Sequence, residues 1–559
     1  MVKTGRQVIT KQGIIEGVRL VSDNNYQIDA FLGIPFAKPP IGPLRFKRPE
    51  PLEPWKGVKK AIKFAPRARQ HNFLWARLRN EVKKSEDCLY LNVFSPAWSP
   101  IKDQKNGFAV MIFIHGGGFL IGCAAQYGDI NICNNLCRRD VIVVTIQYRL
   151  GLLGFFCTGD EVCPGNNGLW DQAMALQWIK ENISAFNGNP ERITIFGHSA
   201  GGASADLLSL SPKSQNLFQQ VIAMSGNAEC AWAVAEKQRI IDVCKQFARK
   251  VGWKKNGEGR EYHVEMLNYL RTLPAKIFEG SIFSRNWINA SRTGIILAPV
   301  IDGDFLPKSI KELRKEAPIK SCIVGTCKYE SLVFAAISHS SFTLRDIDKI
   351  LNSYISAEEY DGYEELRRKT KNYYLNNIDI NNKLAVARTC EELSSNLFLT
   401  NGTAEYAEKM MKLNHKVYLY SFDYFNPKSY GILSLIVPFK GATHGTELNY
   451  VFGTNIFPLS FKCTKTDEYV RDVMSKLWTN FTKFGNPNGA NNTSLSEGFK
   501  WLPVVRKPAS YLSIGTDVLQ MKEGYCYHRT EFWRNFHADN AIKFKVKCIQ
   551  SKNTHNVLK

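Results

Sequence analysis

One stretch, ITIFGHSAGGASADLL at 193–208, constrains this chain more than any other. Its start, RITIF at 192–196, alternates and is β-branched, which predicts a short buried strand. Its end, running on to 210, carries Ala203, Leu207 and Leu210 at helical spacing. Between the two stand Gly197, His198, Ser199, Ala200 and Gly201, so a strand must hand over to a helix within five residues. A turn that sharp needs small residues at 197 and 201. It holds the Ser199 hydroxyl exposed at the carboxyl edge of a sheet, beside the positive end of a helix. Gly-x-Ser-x-Gly alone is weak evidence, since about 0.2 matches arise by chance in a chain of this length. The strand before it and the helix after it make Ser199 a candidate nucleophile.

A serine hydroxyl is a poor nucleophile at neutral pH, so the reading demands a base, a carboxylate to orient that base, and donors for an oxyanion. The apolar strand FAVMIFI at 108–114 runs into His115-Gly116-Gly117-Gly118-Phe119, where the backbone can approach a substrate oxygen with its N–H groups free. The N–H of Ala200, directly after the serine, is a further donor. Six histidines lie late enough in the chain to serve as base: His339, His415, His444, His528, His537 and His555. His415 precedes the strand-like VYLYSF and reads as structural, and the last three lie in the basic C-terminal region. His444, in the glycine-flanked loop KGATHGTELNYVFG, is the best placed to present an imidazole. Glu330 follows the short apolar strand CIVG and is one candidate acid among many.

Composition sets the outer limits. Of the 559 residues 44% are hydrophobic and 22% charged, which suits a large folded core rather than disorder. No linker, repeat or low-complexity tract divides the chain, so a single α/β domain with long insertions is expected over 1–540, followed by a basic tail at 541–559. The net charge is +22, with basic residues gathered in WKGVKKAIKFAPRAR, RLRNEVKK and KSIKELRKEAPIK. No nucleic-acid-reading motif accompanies that charge; it leaves room for weak association with anionic surfaces. No apolar segment has the length of a membrane span or of an export signal. Taken as written, the chain reads as cytoplasmic, with its 14 cysteines reduced, and a missing upstream leader would make it secreted or lumenal instead.

Beyond these local patterns, the chain resembles the type-B carboxylesterases, the carboxylesterase and cholinesterase group of the α/β-hydrolase superfamily. The resemblance runs through FLGIPFAKPPIGPLRF at 31–46, SEDCLYLNVFSP at 85–96, the serine block at 165–204, APVIDGDFLP at 298–307, VGTCKYES at 324–331, THGTELNYVFG at 443–453 and WTNFTKFGNPN at 478–488. It implies a mostly parallel central sheet flanked by helices and the hydrolysis of carboxylic esters without cofactor or metal. It also implies roles for Ser199 as nucleophile, Glu330 as acid and His444 as base, with Gly117, Gly118 and Ala200 forming the oxyanion hole.

Two departures bear on specificity. The family usually carries glutamate before the serine, where cholinesterases use it to help hold a quaternary ammonium; here His198 stands in that place, which argues against choline esters. Secreted members pair the cysteine of the EDCLYLNV block with one upstream, and Cys88 has no cysteine before it. Trp232, in MSGNAECAW, falls where the family lines its acyl pocket, and Trp75 is read as core or loop packing rather than a choline-site aromatic. The competing functions are a cholinesterase-like enzyme and a non-catalytic adhesion relative; the second is disfavoured because all three triad residues are present.

Overall fold

The strand at 108–114 organises the molecule because both of its faces are buried. In the computed structural model, which describes residues 4–554 apart from 23–25, 72–81, 101–103, 105, 280–294, 339–340, 358, 454–462, 491–498 and 516–518, every residue of Phe108–Ile114 is buried. Successive side chains of a strand point to opposite faces. Accordingly Val110, Ile112 and Ile114 enter one core with Ala203 and Leu207, while Met111 and Phe113 enter a second with Leu477, Trp478 and Phe481. An unbroken apolar run thus marks a central strand covered on both sides.

The strands, in chain order, are β1 (Thr4–Thr10), β2 (Gly13–Ser22), β3 (Gln27–Pro35), β4 (Val58–Lys60), β5 (Arg67–Ala68), β6 (Lys84–Ser85), β7 (Tyr90–Pro96), β8 (Phe108–Ile114), β9 (Val141–Ile146), β10 (Gly188–His198), β11 (Gln220–Met224), β12 (Ser321–Cys327), β13 (Val417–Phe422), β14 (Ser510–Ile514) and β15 (Leu519–Glu523). Thirteen of them form one sheet in the order β1-β2-β3-β7-β9-β8-β10-β11-β12-β13-β14-β15, with β4 against β2; β5 and β6 pair separately. From β9 through β14 all neighbours are parallel, and both ends of the sheet turn antiparallel. The expected strand at 192–196 is longer than its apolar run. It begins at Gly188, with a register shift against β8 between Gly188 and Ile193.

Helices cover both faces. Ala200–Leu210 packs on β10, β11 and β8, and Lys465–Phe484 packs across β8, β10 and β9. The second starts on a capping box in which the Thr464 side chain accepts from the Asp467 N–H, and the Asp467 carboxylate also accepts the buried hydroxyls of Tyr424 and Tyr450. A third apolar cluster, with Leu332, Ile347, Leu351, Cys390 and Trp533, closes a helical insertion after β12. The last helix, Tyr527–Thr554, crosses residues 540 and 541, where the charge pattern suggested a tail. Among the described residues no helix is long and apolar enough to cross a membrane.

Candidate active site

The parallel strands β10, β11 and β12 end side by side, and the candidate residues stand on that carboxyl edge. Ser199 joins β10 to the helix Ala200–Leu210 with φ 58° and ψ −125°, a left-handed backbone that a serine seldom adopts. Its amide is fixed by donation to Met224 O (2.8 Å) and its carbonyl accepts from Ala203 N (2.9 Å). The approach of the helix to the sheet explains Gly201, where a Cβ would lie 2.0 Å from Ile114 O.

The glycine loop after β8 faces the same turn. Gly117 has φ 113°, and a Cβ there would lie 2.1 Å from Ile121 O. Gly118 follows with φ 60°. Among the described residues, the N–H groups of Gly117, Gly118 and Ala200 have no acceptor within the protein, so all three remain available to an incoming oxygen. The loop is braced by His115, whose Nδ1 lies 2.9 Å from Gly116 O and whose ring stacks on Tyr148 at 4.6 Å. Burial brings the His115 imidazole down to about 4, so at neutral pH it is an uncharged brace.

The acid and the histidine meet. Glu330, fully buried just past β12, accepts from His444 Nδ1 at 2.6 Å through Oε2, and from Cys327 N (2.7 Å) and Ser225 Oγ (2.6 Å) through Oε1. Every contact holds the carboxylate in one orientation, as an imidazole of fixed tautomer requires. The His444 ring lies between His198, with centroids 4.4 Å apart, and Phe334, at 5.1 Å. Ser199 makes no hydrogen bond to His444; the imidazole leans on His198 instead.

Around this pair are groups that no sequence motif announced. Glu447 is fully buried; its Oε2 accepts from Cys327 Sγ (2.7 Å) and its Oε1 lies 3.1 Å from Ser225 Oγ and 3.6 Å from His198 Nε2. Burial, and then the charge of Glu330, raises the Glu447 carboxyl to about 7. One Ser225 hydroxyl proton cannot serve both carboxylates. The 2.6 Å contact takes it to Glu330, and a protonated Glu447 can donate to the same oxygen. His198 is itself 6% exposed, with Nε2 unpartnered. Burial and the neighbouring His444 hold its imidazole well below the ordinary range, so it is neutral. Behind Glu330, the buried Glu391 accepts from Ser331 N (3.0 Å) and Ser395 Oγ (2.5 Å).

Trp232 is buried and donates from Nε1 to Phe398 O (2.7 Å). Its ring edge lies 3.1 Å from where a Cβ on Gly226 would stand, a point 2.3 Å from Ser199 O, so it bounds the space behind the serine. Of the other histidines, His415 is buried against Lys320 at the opposite end of β12, His537 packs on Trp533, and the His528 carbonyl accepts from Tyr373. His339, His555 and Trp75 lie outside the described residues.

A family model described as the carboxylesterase family matches residues 4–533. The chain is 35% identical over 518 residues to Esterase cest-33 of Caenorhabditis elegans, an alignment that covers 92% of this chain and 91% of that one. It is 31% identical to the Cholinesterase of Mus musculus (95% and 86%) and 32% identical to Pyrethroid hydrolase Ces2e of Rattus norvegicus (88% and 83%).

Proposed function

The chain belongs to the carboxylesterase family, has its α/β-hydrolase fold and is a serine ester hydrolase, and we propose that it works through an acyl-enzyme on Ser199. His444 takes the Ser199 proton as Oγ attacks the ester carbonyl, and Glu330 holds the imidazole in the required tautomer and stabilises it once charged. The oxyanion accepts from Gly117, Gly118 and Ala200 N–H, donors of a kind worth on the order of 10²–10³ in rate. The alcohol leaves with the proton from His444. Water, activated by the same imidazole, then releases the acid. The open Ser199–His444 contact closes when an ester occupies the site, as is common for catalytic hydrogen bonds.

The observation that carries this reading is the 2.6 Å Glu330–His444 pair beside a strained, half-buried serine. The substrate is a neutral ester: His198 is uncharged, and burial and then the charge of Glu330 raise the Glu447 carboxyl toward its neutral form, so the floor of the site offers a quaternary ammonium little negative charge. Trp232 limits the acyl group. The thirteen free cysteines among the described residues support a reducing, cytoplasmic setting, which microscopy of the tagged full-length product would check.

Ser199→Ala is expected to lower turnover of a short-chain aryl ester by at least about 10³ with the melting temperature preserved. Retention of a tenth of the rate would exclude the assignment, as would a fluorophosphonate adduct mapped to any other residue.

A further inference from the structure

The β1 end of the sheet, away from the central strands that carry the site, exposes apolar side chains in register. Ile9 of β1 pairs with Ile14 of β2, and Ile14 pairs with Val58 of β4. Residues directly opposed across strands share a face, so the three form one cross-strand row about 10 Å long. Ile9 is 77% exposed and Val58 45%, and Ile62, four residues on, is 48% exposed.

Lysines border this row: Lys60 shares its face, and Lys59, opposed to the buried Ile15, projects from the other side of the edge strand β4. Lys56, Lys59, Lys60 and Lys63 are all exposed, and among the described residues none of the four makes an ion pair. Lys59 Nζ stands 4.4 Å from the Trp55 ring, and Trp55 Nε1 donates to Ile14 O (3.2 Å), which pins the lysine-bearing segment beside the row. Lys11 is engaged with Glu181 at 3.4 Å. Glu16 is the acidic residue within the patch, opposed to Lys60 and accepting from Gln7 Nε2 (2.8 Å).

We propose that this edge of the sheet, Ile9, Ile14 and Val58 with Lys56, Lys59, Lys60 and Lys63, docks the protein on an anionic lipid surface. Lysines and row divide the labour: unpaired ammonium groups are drawn to lipid phosphates and carboxylates, and protruding isoleucine and valine side chains enter the interfacial layer. Exposed apolar side chains among lysines suit a membrane better than a nucleic acid, whose phosphates would leave them in water. Docking there brings the enzyme to esters dissolved in the membrane.

The test is flotation of the full-length protein with vesicles of phosphatidylcholine alone or with a third phosphatidylserine, at low and physiological salt. Binding is expected only with the anionic lipid and weakens as salt rises. At about fivefold per lysine, reversing Lys56, Lys59, Lys60 and Lys63 to Glu abolishes it. The same reversal at the exposed Lys250, Lys254, Lys383 and Lys412 leaves at least half of the bound fraction, and both variants keep aryl-ester turnover. The substitutions Ile9→Ser and Val58→Ser together lower the bound fraction several-fold at physiological salt. Equal loss in the two lysine variants would show diffuse charge rather than a docking face. Binding to neutral vesicles, to no vesicle, or to duplex DNA in preference to anionic vesicles would overturn the proposal.

Discussion

Replacing Glu391 with Gln should make the protein more stable, by an amount that grows with pH. Glu391 is 2% exposed, and its donors, Ser331 N and Ser395 Oγ, do not offset its burial, so its carboxyl is pushed up from an ordinary 4.5 to about 8. The folded state therefore keeps a proton that the unfolded chain loses above 4.5, and linkage fixes the sign: stability falls by about 1.4 kcal/mol per pH unit from 4.5 to 8 and is level beyond. The whole span comes to about 5 kcal/mol, and the part between pH 5 and 8.5 to about 4 kcal/mol. Glutamine has the same shape without the titration. With an unfolding entropy of about 2.1 cal/mol/K per residue, a chain of 559 residues shifts its melting temperature by about 1 °C per kcal/mol. Relative to the wild type, Glu391→Gln should thus gain about 4 °C between pH 5 and pH 8.5, measured by paired thermal melts so that all other titrations cancel. A gap that stays constant within 1 °C over that range would refute a protonated Glu391.

Other expectations concern the site. Glu330→Gln should lower kcat on the order of 10⁴ without unfolding the protein, because the imidazole loses its tautomer lock; a loss below tenfold would move the role to another carboxyl, Glu447 being the nearest by geometry. Gly117→Ala, whose methyl would meet Ile121 O at 2.1 Å, should cost about 10²–10³ in kcat with KM little changed, and a wild-type rate would remove Gly117 from the oxyanion hole. His198→Glu places a carboxylate where Nε2 now stands 3.6 Å from Glu447. The ratio of kcat/KM for a choline ester over its uncharged isostere should rise at least tenfold, and a strong choline preference already present in the wild type would defeat the neutral-floor reading.

Legibility in the sequence followed how local each signal is. Strands β8 and β13 lie where their apolar runs predict, at 108–114 and 417–422, and the helix after Ser199 spans Ala200–Leu210 as its spacing predicts, because burial on both faces or on one helical stripe writes itself into neighbouring residues. Ser199 and the glycine loop were readable for the same reason: a sharp turn selects small residues beside it. His444 was picked from six histidines by its glycine-flanked loop, whereas Glu330, 114 residues away, left no such mark and only the resemblance singled it out. Glu447, Ser225 and Glu391 were missed because a buried carboxyl is recognised by what surrounds it, and their partners come from distant strands and helices. A faint signal existed at Glu447, an acidic residue inside the otherwise uncharged block THGTELNYVFG.

The second cover of the sheet arrives late in synthesis. Leu477, Trp478 and Phe481 of the helix Lys465–Phe484 seal the side of β8 and β10 that Met111, Phe113 and Phe196 face, yet the ribosome makes those strands hundreds of residues earlier. At 5–20 residues per second the nascent chain carries that bare apolar surface for tens of seconds. Surface left bare in this way is what makes incomplete chains prone to aggregate, so the last-made cover of the sheet also ends its most vulnerable period.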